Sequence, residues 1–273
     1  MNRNSRRVAG IAAVIALVGA VFLPTLRWLV QSWLGNPYYS HGFLVPFIAG
    51  YLIWRRRDVV VEPWDAGLGV VALGVGLHIA SLPRQMHLLS AAGLIVVTVG
   101  LLLTFVGRRA VERWAFPLAF LGTMIPLPFV ERLSPPLEAF VARYAALGVR
   151  PLGVAATTIG SQVRLASASF TVGAPCSGLR SIVALLTLTV LLVYIVRGPW
   201  WGKAALLVAA LPIAIAANLM RVSSLFFVAE NLGANAGLRY YHTLSSPTLF
   251  LVAVGLLLLT GRSVQCNAIR SDI

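Results

Sequence analysis

A cysteine at position 176 stands in the stretch Gly173–Ser181, GAPCSGLRS, where a Gly- and Ser-rich segment runs into a long apolar helix. Ser177 and Gly178 follow it directly, and Arg180 lies about one turn further on. Two more polar groups lie downstream in apolar surroundings: Arg221 in AANLMRVSS and His242 in RYYHTLSSP. A thiol, a guanidinium and an imidazole are the parts that thiol-based acyl transfer needs: a nucleophile, a cation for the oxyanion, and a general acid and base. The spacing makes Ser177 the expected cap of the helix, whose first N–H groups and positive partial charge favour a nearby anion. Arg180, on roughly the same face, adds positive potential.

Each of these residues also has a plain structural reading. Cys176 alone would be a small packing residue, Arg221 a side chain snorkelling to headgroups, and His242 part of an interfacial aromatic anchor. Their combination favours the chemical reading. Asn218 lies three residues before Arg221 and shares its helix face, so two polar groups point one way, as they would into a polar site lined by the bundle. His41, in YSHGFLVP, is the rival of His242 as general base. His78 falls inside an apolar span and reads as a helix–helix polar contact, and His87 sits at a loop edge with no evident partner. No His-Glu-x-x-His and no Gly-x-Ser-x-Gly occurs, and Asp58, Asp65 and Asp272 form no intramembrane pair. No metal and no cofactor is expected.

The elements that must position these residues are membrane helices. Of 273 residues 59% are hydrophobic and 11% charged, more apolar surface than a soluble domain of that size can bury. The net charge of +14 comes from Lys+Arg 22, all arginine but for Lys203, and most fall in short clusters between apolar runs. Such clusters are topology signals, so nucleic acid is not an expected partner. The reading is a single all-α polytopic membrane domain over 1–273 with about eight spans. These run at Val8–Leu23, Gly42–Trp54, Ala66–Leu82, Leu88–Val106, Trp114–Phe129, Ser181–Val196, Ala204–Val222 and Leu244–Leu259. Both termini are then cytoplasmic. Gly67, Gly69, Gly74 and Gly76 are expected to let helices approach closely. Between spans five and six lies an extracytoplasmic insert, about 131–176. It holds an amphipathic helix over Glu131–Arg150, with Leu133, Leu137, Phe140, Tyr144 and Leu147 at helical spacing, and a short β-hairpin around Ala166–Ser169. This topology puts Cys176 outside and Cys266 inside, so both are expected to be free thiols.

The chain resembles the exosortase/archaeosortase membrane proteins. The resemblance rests on PYYSHGFLVP followed by YLIWRRR, IPLPFVERLSPPLE, APCSGLRS, LPIAIAANLMRV and a His-bearing turn, in family order over Asn36–Leu259. It implies that the family's catalytic Cys, Arg and His fall on Cys176, Arg221 and His242. It also implies processing of exported proteins that carry a C-terminal sorting signal, in bacteria the PEP-CTERM type: a short motif, a hydrophobic span and a basic tail. The acceptor would be an envelope or polysaccharide nucleophile, or water. The implied location is the bacterial inner membrane, with the active site on the outer side. A glycine common in the family shortly after the histidine is replaced here by Ser246, and archaeal relatives can use arginine in the histidine's place, which brings in Arg239. The chain resembles the membrane core with no appended soluble domain.

Two other classes fit the same composition. A small transporter or channel would line its path with Asn218 and Arg221, although inverted repeats and midplane acids are missing. A non-catalytic scaffold for envelope or exopolysaccharide assembly would tolerate Arg221→Lys.

Overall fold

The computed structural model describes residues 3–270, with side chains throughout that range except those of residues 3–8, Pro175, His242 and Ser246. Apolar segments in a bilayer must satisfy their own backbone groups, and the chain does so chiefly with helices. It divides into two compact units, one reaching to Pro126 and one starting at Leu127.

In the first unit, helices α1 (Arg3–Val21) and α2 (Leu23–Gly35) meet at a 70° bend. A tight helical turn, Pro37–Phe43, leads into α3 (Val45–Arg55). Helices α4 (Gly67–Ser81) and α5 (His87–Phe105) form a hairpin, followed by the short α6 (Arg108–Arg113) and α7 (Ala115–Phe120). Glycine makes the α4–α5 contact: a Cβ at Gly67 would lie 2.6 Å from the backbone nitrogen of Thr104, and one at Gly74 2.7 Å from that of Val97. Gly69 and Gly76 face open space instead. Seven residues are nearly two full turns, so only the Gly67/Gly74 pair shares the contact face. His78 makes the expected helix–helix contact: its Nδ1 lies 2.7 Å from Ser90 Oγ, which lies 2.5 Å from Thr25 Oγ1. His87 has a partner that the sequence did not suggest, the stacked ring of Trp28, 5.1 Å away.

The second unit contains α8 (Pro128–Glu131), α9 (Ser134–Val149), strands β1 (Thr157–Ile159), β2 (Gln162–Arg164) and β3 (Ser169–Thr171), then α10 (Leu179–Ile195). Strand β4 (Val196–Arg197) pairs with β5 (Ala268–Ile269), and between them lie α11 (Trp200–Leu232), α12 (Ala234–Tyr240) and α13 (Ser246–Ser263). Helix α11 is the axis of this unit. Its 33 residues rise about 50 Å, well beyond a hydrocarbon layer of about 30 Å. Leu206, Ala210, Ala214 and Ala217 pack in one apolar core with Ile182 and Leu185 of α10 and Ala253 and Leu257 of α13. Val222, Leu225, Phe226 and Ala229 pack in a second core with α9 and the sheet. Asn218 and Arg221 fall at the junction of the two. If Trp200 and Trp201, both exposed, mark one interface, a layer of about 20 residues ends beside Arg221.

Three features of these elements have physical causes. The apolar stripe of α9 is not its packed face: Leu133, Phe140, Tyr144 and Leu147 are exposed, while Val141, Ala142, Ala145, Ala146 and Val149 are buried. Small residues let α9 approach α11 closely, and Ser223 Oγ donates to the Ala145 carbonyl at 3.2 Å. The hairpin around Ala166–Ser169 forms as β2–β3, and β1 extends it to an antiparallel meander, with Thr157 opposite Arg164 and Val163 opposite Phe170. Third, among the described residues three helices are long and apolar enough to cross a membrane, or up to six if each bent pair is one span, where eight spans were expected. Helix α3, with 11 residues, rises only about 16 Å. The run Trp114–Phe129 is broken, with Pro126 and Pro128 following the turn at Leu121–Met124.

Gly74→Leu should wedge α4 from α5 and destabilise the protein by about 1–3 kcal/mol. Gly76→Leu, on the open face, should leave stability unchanged; thermal unfolding of the two purified variants in detergent makes the comparison.

Candidate active site

Strand β3 delivers the chain to Cys176, and its position is fixed from two sides. Val172 is buried in the α9–α11–sheet core, and its N–H donates to the Ser161 carbonyl at 2.9 Å. At the β2–β3 turn, the Ser167 hydroxyl and N–H both donate to Glu230 on α11, at 2.6 and 3.1 Å. Four residues after Val172 the chain closes a tight turn over Ala174–Cys176. The cap of α10 is Gly178, not Ser177 as the sequence suggested. Ser177 is buried and spends its hydroxyl inside the turn, donating to the Ala174 carbonyl at 2.8 Å.

Gly178 is required twice over. Its φ of +81° is a left-handed conformation, and a Cβ there would lie 2.5 Å from Asn218 Cγ. That closeness lets Asn218 Nδ2 donate to the Cys176 carbonyl at 3.0 Å, pinning the cysteine's backbone to α11. One turn along α11, Arg221 Nη2 donates to the Tyr241 hydroxyl at 2.7 Å, and its Cζ lies 4.8 Å from the centre of the Tyr241 ring. Arg221 is 9% exposed and Tyr241 4%. The Tyr241 hydroxyl is also within side-chain hydrogen-bonding reach of the Cys176 thiol. A thiol, a phenol and a guanidinium thus form a chain.

Beside the sulfur is a cavity of about 240 Å³, lined by Phe170, Val172, Phe226 and Leu238 among others, with Cys176 and Tyr241 in its wall. Its lining suits an apolar segment. Two of the backbone donors expected near Ser177 are engaged: the Cys176 and Ser177 N–H groups both donate to the Gly173 carbonyl, at 2.8 and 3.1 Å.

Of the residues singled out from sequence, Cys176, Asn218, Arg221, Ser177 and Gly178 come together. Arg180 and Arg239 are exposed. His242 lies in a π-helical turn, Tyr241–Ser245, next to Tyr241, and its side chain is outside the described residues. His41 belongs to the first unit, where burial pushes its imidazole below the usual range, against hydrogen bonds to the backbone of Thr123 and Tyr38. Cys266 is a buried free thiol beside Gly198 and Gly202, and Cys176 is likewise free. Among the described residues no group of three or more His, Cys, Asp or Glu could hold a metal ion. Tyr241 is the site residue that sequence reasoning missed. The one available signal was its place next to His242, in a Tyr-Tyr pair that reads equally well as an interfacial anchor.

The family model described as transmembrane exosortase matches residues 33–259, which take in all of these site residues. Among curated proteins and solved structures, none matches.

Gly178→Ala should cost about 1–3 kcal/mol, because an L side chain there meets both the strained φ and the Asn218 amide. Maleimide labelling of Cys176 before and after thermal challenge would report it. For His41, a folded-state value below the unfolded one means that the unfolded chain binds the proton more readily. Stability is then full above about pH 6.5 and falls as pH drops below it, and His41→Asn should flatten that slope in pH-dependent melting curves.

Proposed function

Because the chain belongs to the transmembrane exosortase family, we propose that it is a cysteine-dependent membrane peptidase or transpeptidase that processes exported proteins carrying a C-terminal sorting signal of the PEP-CTERM type. The observation that carries this reading is the Cys176 thiol itself: pinned through its carbonyl by Asn218, beside an apolar cavity, and in reach of a phenol held by a buried arginine.

Cys176 attacks the peptide carbonyl next to the sorting motif, giving a tetrahedral adduct whose oxyanion needs a donor. Arg221 supplies the positive charge behind that donor. His242 protonates the departing amine, with His41 the rival for that role. The resulting thioester passes to an envelope or polysaccharide acceptor, or to water. The substrate's hydrophobic span docks among the apolar helices while its basic tail stays on the cytoplasmic side. The reaction then takes place at the outer surface of the inner membrane, with both termini of the enzyme inside. No metal or other cofactor enters this chemistry.

Cys176→Ala is the test, with an exported reporter ending in such a signal. The variant should insert and fold like wild type yet leave the reporter at full length on immunoblots. Normal processing by Cys176→Ala would refute the cysteine mechanism.

A further inference from the structure

We propose that Tyr241 is the group that meets the substrate's carbonyl oxygen as Cys176 attacks, and that Arg221 acts through it as a positioning residue. The proposal rests on the cysteine acyl-transfer reading above and assigns the oxyanion donor within it.

Hydrogen-bond polarity gives the first argument. A guanidinium has donors only, so in the 2.7 Å contact Arg221 Nη2 donates and the phenol oxygen accepts. The single phenol proton is then left to point elsewhere, and the Cys176 thiol is within its reach. The chain runs from guanidinium to phenol to sulfur. A cation donating to the phenol oxygen polarises its O–H bond and makes that O–H a stronger donor.

Space gives the second. The cavity at the sulfur, about 240 Å³, has Cys176 and Tyr241 in its wall and does not include Arg221. Arg221 instead lines a void of about 10 Å³ with Asn218, Leu185 and Ala214, too small for a peptide group. A substrate carbonyl entering beside the thiol therefore meets the phenol and not the guanidinium.

Elimination gives the third. The N–H groups of Cys176 and Ser177 are bound to the Gly173 carbonyl, and Asn218 Nδ2 is bound to the Cys176 carbonyl. With these three donors engaged, the Tyr241 hydroxyl stands in the cavity wall with Cys176, where the oxygen of an attacked carbonyl would lie.

In the reaction the S–C bond forms, the C–N bond breaks, and the proton lost by the thiol ends on the departing amine. As the sulfur gives up its charge to the new bond, negative charge grows on the carbonyl oxygen attached to the same carbon. The phenol's hydrogen bond moves from sulfur to that oxygen. Tyr241 keeps its proton throughout.

The experiment uses full-length protein in membranes and an exported reporter with a C-terminal sorting signal. Tyr241→Phe preserves the ring over Arg221 and removes only the hydroxyl. It should leave KM unchanged and lower kcat by about 10²–10³-fold, the range for losing one oxyanion donor. Arg221→Gln should lose a similar factor, Arg221→Lys should recover part of it, and Tyr241→Phe with Arg221→Gln should lose no more than the worse single change. Should Tyr241→Phe melt early, fluorinated tyrosine at 241 keeps ring and hydroxyl. Because fluorination changes how strongly that hydroxyl donates, kcat should then change with the number of fluorines while KM stays fixed, which a purely structural tyrosine would not cause. Wild-type kcat in Tyr241→Phe, beside an inactive Cys176→Ala, overturns this inference alone. A Cys176→Ala variant that still cleaves overturns the cysteine reading and this inference together.

Discussion

A guanidinium at 9% exposure inside an apolar bundle is tolerated only when its N–H groups find acceptors, and the Tyr241 hydroxyl is one that meets Arg221 Nη2. The rest of the site follows from it. The phenol must come from the π-helical turn between α12 and α13, so that turn is drawn against α11. The arginine sits one turn beyond Asn218, so the same helix face that holds the phenol also holds the backbone of Cys176. Removing either partner takes away a buried, charge-assisted hydrogen bond, which costs more than losing a surface pair would.

The architecture around the pair explains how so small a constellation keeps its geometry. Helix α11 is long enough to belong to two cores, and the polar pair lies where they meet. Below it, Leu206 to Ala217 pack with α10 and α13; above it, Val222 to Ala229 pack with α9 and the three-stranded sheet. The sheet aims the chain: Val172 in the core and Ser167 bound to Glu230 fix β3, leaving four residues to bring Cys176 to Asn218. Gly178 permits the last approach because no side chain stands between α10 and the Asn218 amide.

Much of this was legible in the sequence where residue chemistry and helical spacing agree. Cys176 just before a long apolar helix, and Asn218 and Arg221 on one helix face, are local patterns, and the structure brings them together. The α4–α5 contact was legible as glycine spacing, though not which glycines would bear it, since that depends on the helix's rotation toward its partner. The face by which α9 packs was not legible for a related reason. Phe140 and Tyr144 stay on the outer face of α9, as an interfacial amphipathic helix leaves its large apolar residues, and alanines do the close packing. Tyr241 was hidden for a deeper reason. A tyrosine in a Tyr-Tyr-His turn carries no periodicity that tells an anchor from a site residue, and only the tertiary contact with Arg221 does so. Where the apolar runs break was not legible either, because apolar composition does not report where prolines and short segments interrupt a helix.

The account stands or falls on a covalent bond at one sulfur. Full-length protein incubated with a substrate bearing the sorting signal, quenched in acid and digested, can be examined by mass spectrometry at the peptide containing Cys176. The account predicts a hydroxylamine-sensitive adduct on that cysteine, with the mass of the substrate's amino-terminal fragment. Steady cleavage of the substrate with Cys176 recovered unmodified, or with the fragment attached elsewhere, would contradict it.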